Sequence, residues 1–157
     1  MAAECREFQY LVYDYLLTLN DFVIFADMPK LKCYAQTKPW WDTIDFLDQV
    51  IGNLSLRDER AKAVMREWAH ADDIWLRRIA IDHQLGHKEK TDTALLEEII
   101  AANLGSDEFF INKAIGWSLR DYARHDPDWV RAFLRRYSGQ MSALSIREAS
   151  RHLKEDT

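Results

Sequence analysis

Ile74-Trp75-Leu76-Arg77-Arg78-Ile79-Ala80-Ile81 decides the architecture, because its pattern returns when the chain is shifted by 35 residues. Leu76 then falls on Ile111 and Ile146, Trp75 on Phe110, Arg78 on Lys113, and Ile79 on Ala114 and Ala149. One period earlier, Trp41 aligns with Leu76 and Ile44 with Ile79. A two-helix unit recurring at this length is close to HEAT-like and related solenoid repeats, whose units bury apolar surface mainly against their neighbours. Stacks of this kind expose an inner wall made by one helix of each pair, where an extended ligand such as a duplex would lie. The rest of the chain agrees with an all-α reading. Gly totals 5 and Pro 3 in 157 residues, and neither a useful alternating strand pattern nor a Gly-rich phosphate loop occurs. Helical periodicity and punctuation predict helices near 3–19, 27–36, 39–54, 57–70, 73–86, 92–104, 107–124, 126–138 and 144–154. Thr91 or Asp92, Ser106, Asp126 with Pro127, and Ser55 are the expected starting signals for four of them.

Composition bounds the rest. The length fits one domain over 1–157, and a hydrophobic fraction of 48% can build a core. Cys5 and Cys33 are far apart and lack Cys-x-x-Cys spacing, so neither a zinc knuckle nor a disulfide framework is expected; both are read as small apolar residues in a reducing cytoplasm. The first residues, MAAECREFQY, have no signal-peptide apolar core, and no stretch is long enough to span a bilayer. The net charge of −5 argues against nucleic acid when taken alone. Its distribution weakens that objection: residues 1–74 hold 13 acids and 8 bases, and residues 75–157 hold 13 of each. A local basic stripe remains compatible with the total.

Candidate chemistry concentrates in Trp40-Trp41-Asp42-Thr43-Ile44-Asp45. On a helix, Trp41 and Asp45 stand four apart and share a face, pairing an indole with a carboxylate in a way that suits a cationic ligand. Adjacent Trp40 and Trp41 point about 100° apart, so they cannot both occupy the middle of one buried face. Trp117 follows Gly116, a residue that weakens a helix unless close approach by a neighbour or ligand requires it. Trp68, Trp75 and Trp129 are assigned to the core. Asp42, Asp45 and Asp48 form a ladder at three-residue spacing; Asp42 and Asp48 are expected on a solvated face. His83 and His87 are i,i+4, but HQLGH lacks the Glu of a zinc-protease motif, so no metal is expected and His87 is read as a helix-end cap.

REFQYLVYDYLL, WWDTID, IWLRRIAI with HKEKTD, EFFINKAIGWSLRDYARHDPDWV and LSIREASRHL, taken together over nearly the whole chain, resemble the AlkD-type DNA alkylation repair family. The resemblance implies a HEAT-like solenoid and a DNA glycosylase that needs no cofactor and acts on duplex DNA carrying cationic N3- or N7-alkylated purines. It implies that Asp45, the second Asp of WWDTID, is the catalytic carboxylate, with Trp41 as its aromatic companion. Arg78 would hold a phosphate, and Trp117 would be a second groove tryptophan. Lys113, Arg120 and Arg147 are expected to extend a basic stripe across successive repeats. Family members begin with further helices before the REFQY-like segment, helices that also supply a groove aromatic, so the chain is expected to be short at its N-terminus. The face bearing Phe8, Tyr10, Leu11, Tyr13 and Leu16 would then lack a partner, and a homodimer through it is expected. The alternatives are a non-catalytic relative binding distorted or branched DNA, and a protein scaffold. Asp45 discriminates, since a mere DNA clamp gains nothing from a carboxylate near phosphates.

Overall fold

The structure is a computed structural model, and it describes residues 6–153. These form nine α-helices joined by short turns and 3-10 segments: α1 Arg6–Thr18, α2 Met28–Gln36, α3 Trp41–Ser55, α4 Glu59–Trp68, α5 Ile74–Asp82, α6 Thr93–Ala101, α7 Phe109–Tyr122, α8 Pro127–Tyr137 and α9 Ala143–Ala149. No strand occurs among the described residues, and none of their helices is long and apolar enough to cross a membrane. Each expected helix is present. Asp92 caps α6 by accepting from the Leu95 amide, and Asp126 caps α8 through Trp129. Two starts differ from expectation: α7 begins at Phe109 with Glu108 at its cap, and Ser106 only accepts from the Glu108 amide ahead of the helix. Ser55 is the last residue of α3, and α4 is capped by Asp58, whose carboxylate accepts from the Arg60 amide. Asp73 does the same for α5.

Helices α1, α3, α5, α7 and α9 pack in sequence as one layer, and α4 packs against α6 in the other. This arrangement makes the 35-residue periodicity a physical ladder. Trp40, Trp75 and Phe110, one period apart, contact one another with ring centroids 6.1 Å (Trp40–Trp75) and 4.9 Å (Trp75–Phe110) apart. Polar bonds also run between adjacent units: Asn103 Nδ2 donates to Ala69 O, Ser118 Oγ to Ile81 O, and Ser145 Oγ to Asn112 O. Leu47, Ile51, Ile79, Ile99, Ile111, Ile115 and Leu119 lie in the core between the layers. Such nearest-neighbour burial is what a helical-repeat solenoid requires.

Two glycines mark where the site-bearing layer is tightest. A Cβ on Gly52 would stand 1.9 Å from the His83 carbonyl oxygen, and one on Gly116 would stand 2.6 Å from Glu148 Cβ. Close approach of α9 to α7 therefore explains Gly116. Gly52→Ala is expected to destabilise the protein by about 1–3 kcal/mol through overpacking of α3 on the end of α5. Urea unfolding measures it, and an unchanged midpoint would contradict the close approach.

Helix α1 departs from the expected unpartnered face. Tyr13 is buried and stacks on Phe46 at 6.1 Å, and Leu16 packs against the core, so these two residues are covered within the chain. Tyr10 is half-buried, its hydroxyl donating to Asp42. Phe8 and Leu11 remain exposed. Cys33 is also exposed rather than packed, whereas Cys5 lies outside the described residues.

Candidate functional site

The start of α3 presents the tryptophans. The Thr43 hydroxyl accepts from the Trp40 amide and donates to the Trp40 carbonyl, fixing the turn into the helix. Trp40 then turns towards Trp75 and Phe110, whereas Trp41 joins Phe110 in lining a cavity. Trp41, Arg78, Phe109, Phe110, Lys113 and Trp117 line a cavity of about 260 Å³. Three successive repeats, through α3, α5 and α7, thus contribute to one cavity.

Asp45 lies one turn along α3 from Trp41, and its side chain is 27% exposed. Arg78 donates to Asp45 Oδ1 from Nη2 at 2.7 Å and from Nε at 3.2 Å, and its Nη1 donates to Phe110 O at 3.1 Å. Burial pushes the Asp45 carboxyl above its ordinary value, and the Arg78 guanidinium opposes that rise. Arg78 itself is 1% exposed. Its donors are engaged by Asp45 and the Phe110 carbonyl, so in this structure Arg78 anchors Asp45 from the cavity wall.

The expected placing of Asp48 on a solvated face is corrected. It is 2% exposed, and with Asp45 and Asp82 it forms a group whose carboxylate oxygens lie within 4.8 Å of one another. Three carboxylates at such spacing could hold a divalent ion. Here a guanidinium already supplies the positive charge, with Arg78 Nη2 also 3.6 Å from Asp82 Oδ2, and an ion would have to displace it. Asp82 and Arg78 were legible as an i,i+4 opposite-charge pair on α5, a signal that the sequence reading passed over.

The second tryptophan sits among cations. Lys113 Nζ is 5.2 Å from the Trp117 ring centroid, and the guanidinium carbons of Arg78 and Arg120 are 5.5 and 5.7 Å from it. Lys113 and Arg120 both donate to the buried carboxylate of Glu148, at 3.0 and 2.9 Å, and Arg151 reaches it at 3.2 Å. The bond from Lys113 holds Glu148 below the ordinary carboxylate range. One anion against three cations leaves this end of the cavity positive. Glu148 was missed in the sequence although it falls one period after Lys113. Arg147 is exposed on α9, beside this group in sequence.

His83 is buried, its Nδ1 2.7 Å from Ala80 O, so it is His83 rather than His87 whose ring meets a carbonyl at the end of α5. Burial lowers its pKa to about 4. The neutral ring is the folded form, so its contribution is complete above the unfolded value of about 6.5 and is lost as pH falls from there to about 4. The loss amounts to about 3 kcal/mol. Asp82, raised to about 6 chiefly by burial, runs in the opposite direction. His83→Gln is therefore expected to flatten the acid decline in unfolding free energy relative to the unmodified protein. Parallel pH profiles would contradict it.

A family model described as DNA alkylation repair enzyme matches residues 1–153. Among solved structures, a protein described as a predicted DNA alkylation repair enzyme from Enterococcus faecalis matches with a TM-score of 0.88 and 33% identity, over 96% of this chain and 70% of that one. No curated protein matches the chain.

Proposed function

The chain belongs to the DNA alkylation repair enzyme family, and on that footing we propose that it is a monofunctional, metal-independent DNA glycosylase hydrolysing the N-glycosidic bond of cationic N3- or N7-alkylated purines in duplex DNA. The observation that carries this reading is a partly exposed carboxylate, Asp45, held by a buried arginine on the same helix as a cavity-lining tryptophan. An alkylated purine bears a formal positive charge and leaves without a general acid. Positive charge moves onto the sugar as the bond lengthens. A fixed carboxylate stabilises that oxocarbenium-like state and can orient the attacking water.

Trp41 and Trp117 would flank the deoxyribose and the modified nucleotide. Their electrostatics differ. Trp117 already has the chain's own cations near its ring, whereas among the described residues none lies over Trp41, which makes Trp41 the better face for a cationic base. The surplus positive charge around Glu148, from Lys113, Arg120 and Arg151, suits a phosphate, fixing register without reading sequence.

The deciding experiment is the release of free methylated base from methylated duplex DNA. No release above the spontaneous rate would reject the glycosylase reading in favour of a non-catalytic DNA binder. Affinity for undamaged duplex is expected to fall steeply with salt, with a log–log slope reduced by about 1 in Arg120→Gln. A salt-independent affinity would place the DNA elsewhere.

A further inference from the structure

Beneath the site lies a charge imbalance that the reaction does not explain. Asp45, Asp48 and Asp82 offer three carboxylates to one guanidinium, and Asp48 and Asp82 are almost completely buried. Asp48 Oδ2 and Asp82 Oδ2 are both inaccessible to solvent and without any hydrogen-bond partner. An ionised carboxylate only accepts, so two neighbouring buried carboxylates can satisfy each other only when one carries a proton. Like charges so close cannot both remain ionised in a buried site.

We propose that Asp48 and Asp82 hold one proton between them, Asp48 as the acid donating to Asp82 Oδ2, and that this pair is a positioning device that leaves the charge of Arg78 to Asp45. The surroundings assign the roles. Asp82 has stabilisers for a negative charge: Ser118 Oγ at 2.8 Å from Oδ1 on α7, and Arg78 at 3.6 Å from Oδ2 on its own helix. Asp48 has no comparable side-chain donor among the described residues, and burial together with the charge of Asp82 pushes its carboxyl well above the ordinary value. The other charged groups acting on the pair are Asp45 from α3 and Asp121 from α7, both of which favour keeping the proton. With the proton in place, Arg78 makes its shortest carboxylate contact, 2.7 Å, to Asp45. Without it, two full negative charges behind Arg78 would compete with Asp45 for the guanidinium, and the Asp45 carboxylate would lose its fixed orientation.

The inference rests on the proposed glycosylase reading for its functional consequence, but the proton can be measured separately. Asp48→Asn replaces the acid with a neutral group that still donates to Asp82; Asp48→Ala removes the donor. Base release at pH 7 is expected to stay within about twofold of the unmodified enzyme for Asn and to fall about tenfold to a hundredfold for Ala, because misorientation of a catalytic group is costly. In parallel, the carboxyl ¹³C resonances of the full chain, with Asp48 identified by its loss in Asp48→Asn, are followed from pH 4 to 9. The Asp48 signal is expected to remain in the protonated range through pH 7, and the Asp45 titration to be displaced in Asp48→Ala but not in Asp48→Asn. An Asp48 signal that titrates at ordinary carboxylate pH, or equal effects of Asn and Ala on Asp45, overturns the proposal. Should the unmodified protein release no base while Asp48 stays protonated and Asp45 responds as stated, the glycosylase reading falls and the acid pair stands.

Discussion

Asp45→Asn will lower the rate of alkylated-base release by about 100- to 1,000-fold, the usual range for removing one preorganised electrostatic stabiliser of a transition state. The substitution keeps the shape of the side chain and an oxygen that can accept from Arg78, while abolishing the charge. Folding should survive, since one negative charge fewer in a cluster of three carboxylates around one guanidinium relieves repulsion. Duplex affinity should hold or rise, because an anion near phosphates is removed. The loss must therefore appear in single-turnover rate rather than in binding. Activity within a few-fold of the unmodified enzyme would remove Asp45 from the mechanism. The pH profile supplies an independent check: the ionised carboxylate is the working form, and burial raises its pKa, so release should decline on the acid side at a pH above the ordinary aspartate range and reach its plateau above it.

Arg78→Met should be the most destabilising single change at the site. Methionine keeps much of the apolar stem, but the cluster loses its guanidinium, leaving Asp45 and Asp82 without their cation and the Phe110 carbonyl without its donor. Breaking a buried ion pair from one side costs about 3–5 kcal/mol, a large fraction of the stability of a small domain. The sign of its pH dependence is diagnostic. With the cation gone, the carboxylate pKa values in the folded state rise further, so the penalty is largest at alkaline pH and shrinks as pH falls and the groups take up protons. Urea unfolding at pH 8 and pH 5 reads both effects. A deficit below about 1 kcal/mol, or one independent of pH, would show that Arg78 is not the counter-ion the geometry makes it.

The fold was legible in the sequence because a solenoid writes the same requirement repeatedly. Leu76 and Ile111 are buried one period apart, and Asp92 and Asp126 cap helices where local chemistry says they should. Local rules failed where a position depends on a distant helix. Asp42, Asp45 and Asp48 look like one surface ladder, yet three-residue steps on a helix of 3.6 residues per turn rotate progressively round the axis, carrying Asp48 inward to meet Asp82. Nothing on α3 announces Asp82. The partners of Arg78 were hidden for a similar reason: the sequence does not show that Asp45 and the Phe110 carbonyl, 33 and 32 residues away, take its donors. Gly116 was recognisable as an anomaly, but its cause, the approach of α9, required the stack itself.

The cavity takes its walls from α3, α5 and α7, across the junctions between consecutive units, and in a stack of this kind each unit is held mainly by the one before and the one after. Melting therefore need not be all-or-none. Peeling α9 from α7 would uncover Glu148 and release Lys113, Arg120 and Arg151 while the stack from α3 to α7 persisted. Any opening between α7 and α9 would dissolve the cation cluster around Trp117, so this end of the cavity depends on the contact of those two helices even where the rest of the stack holds.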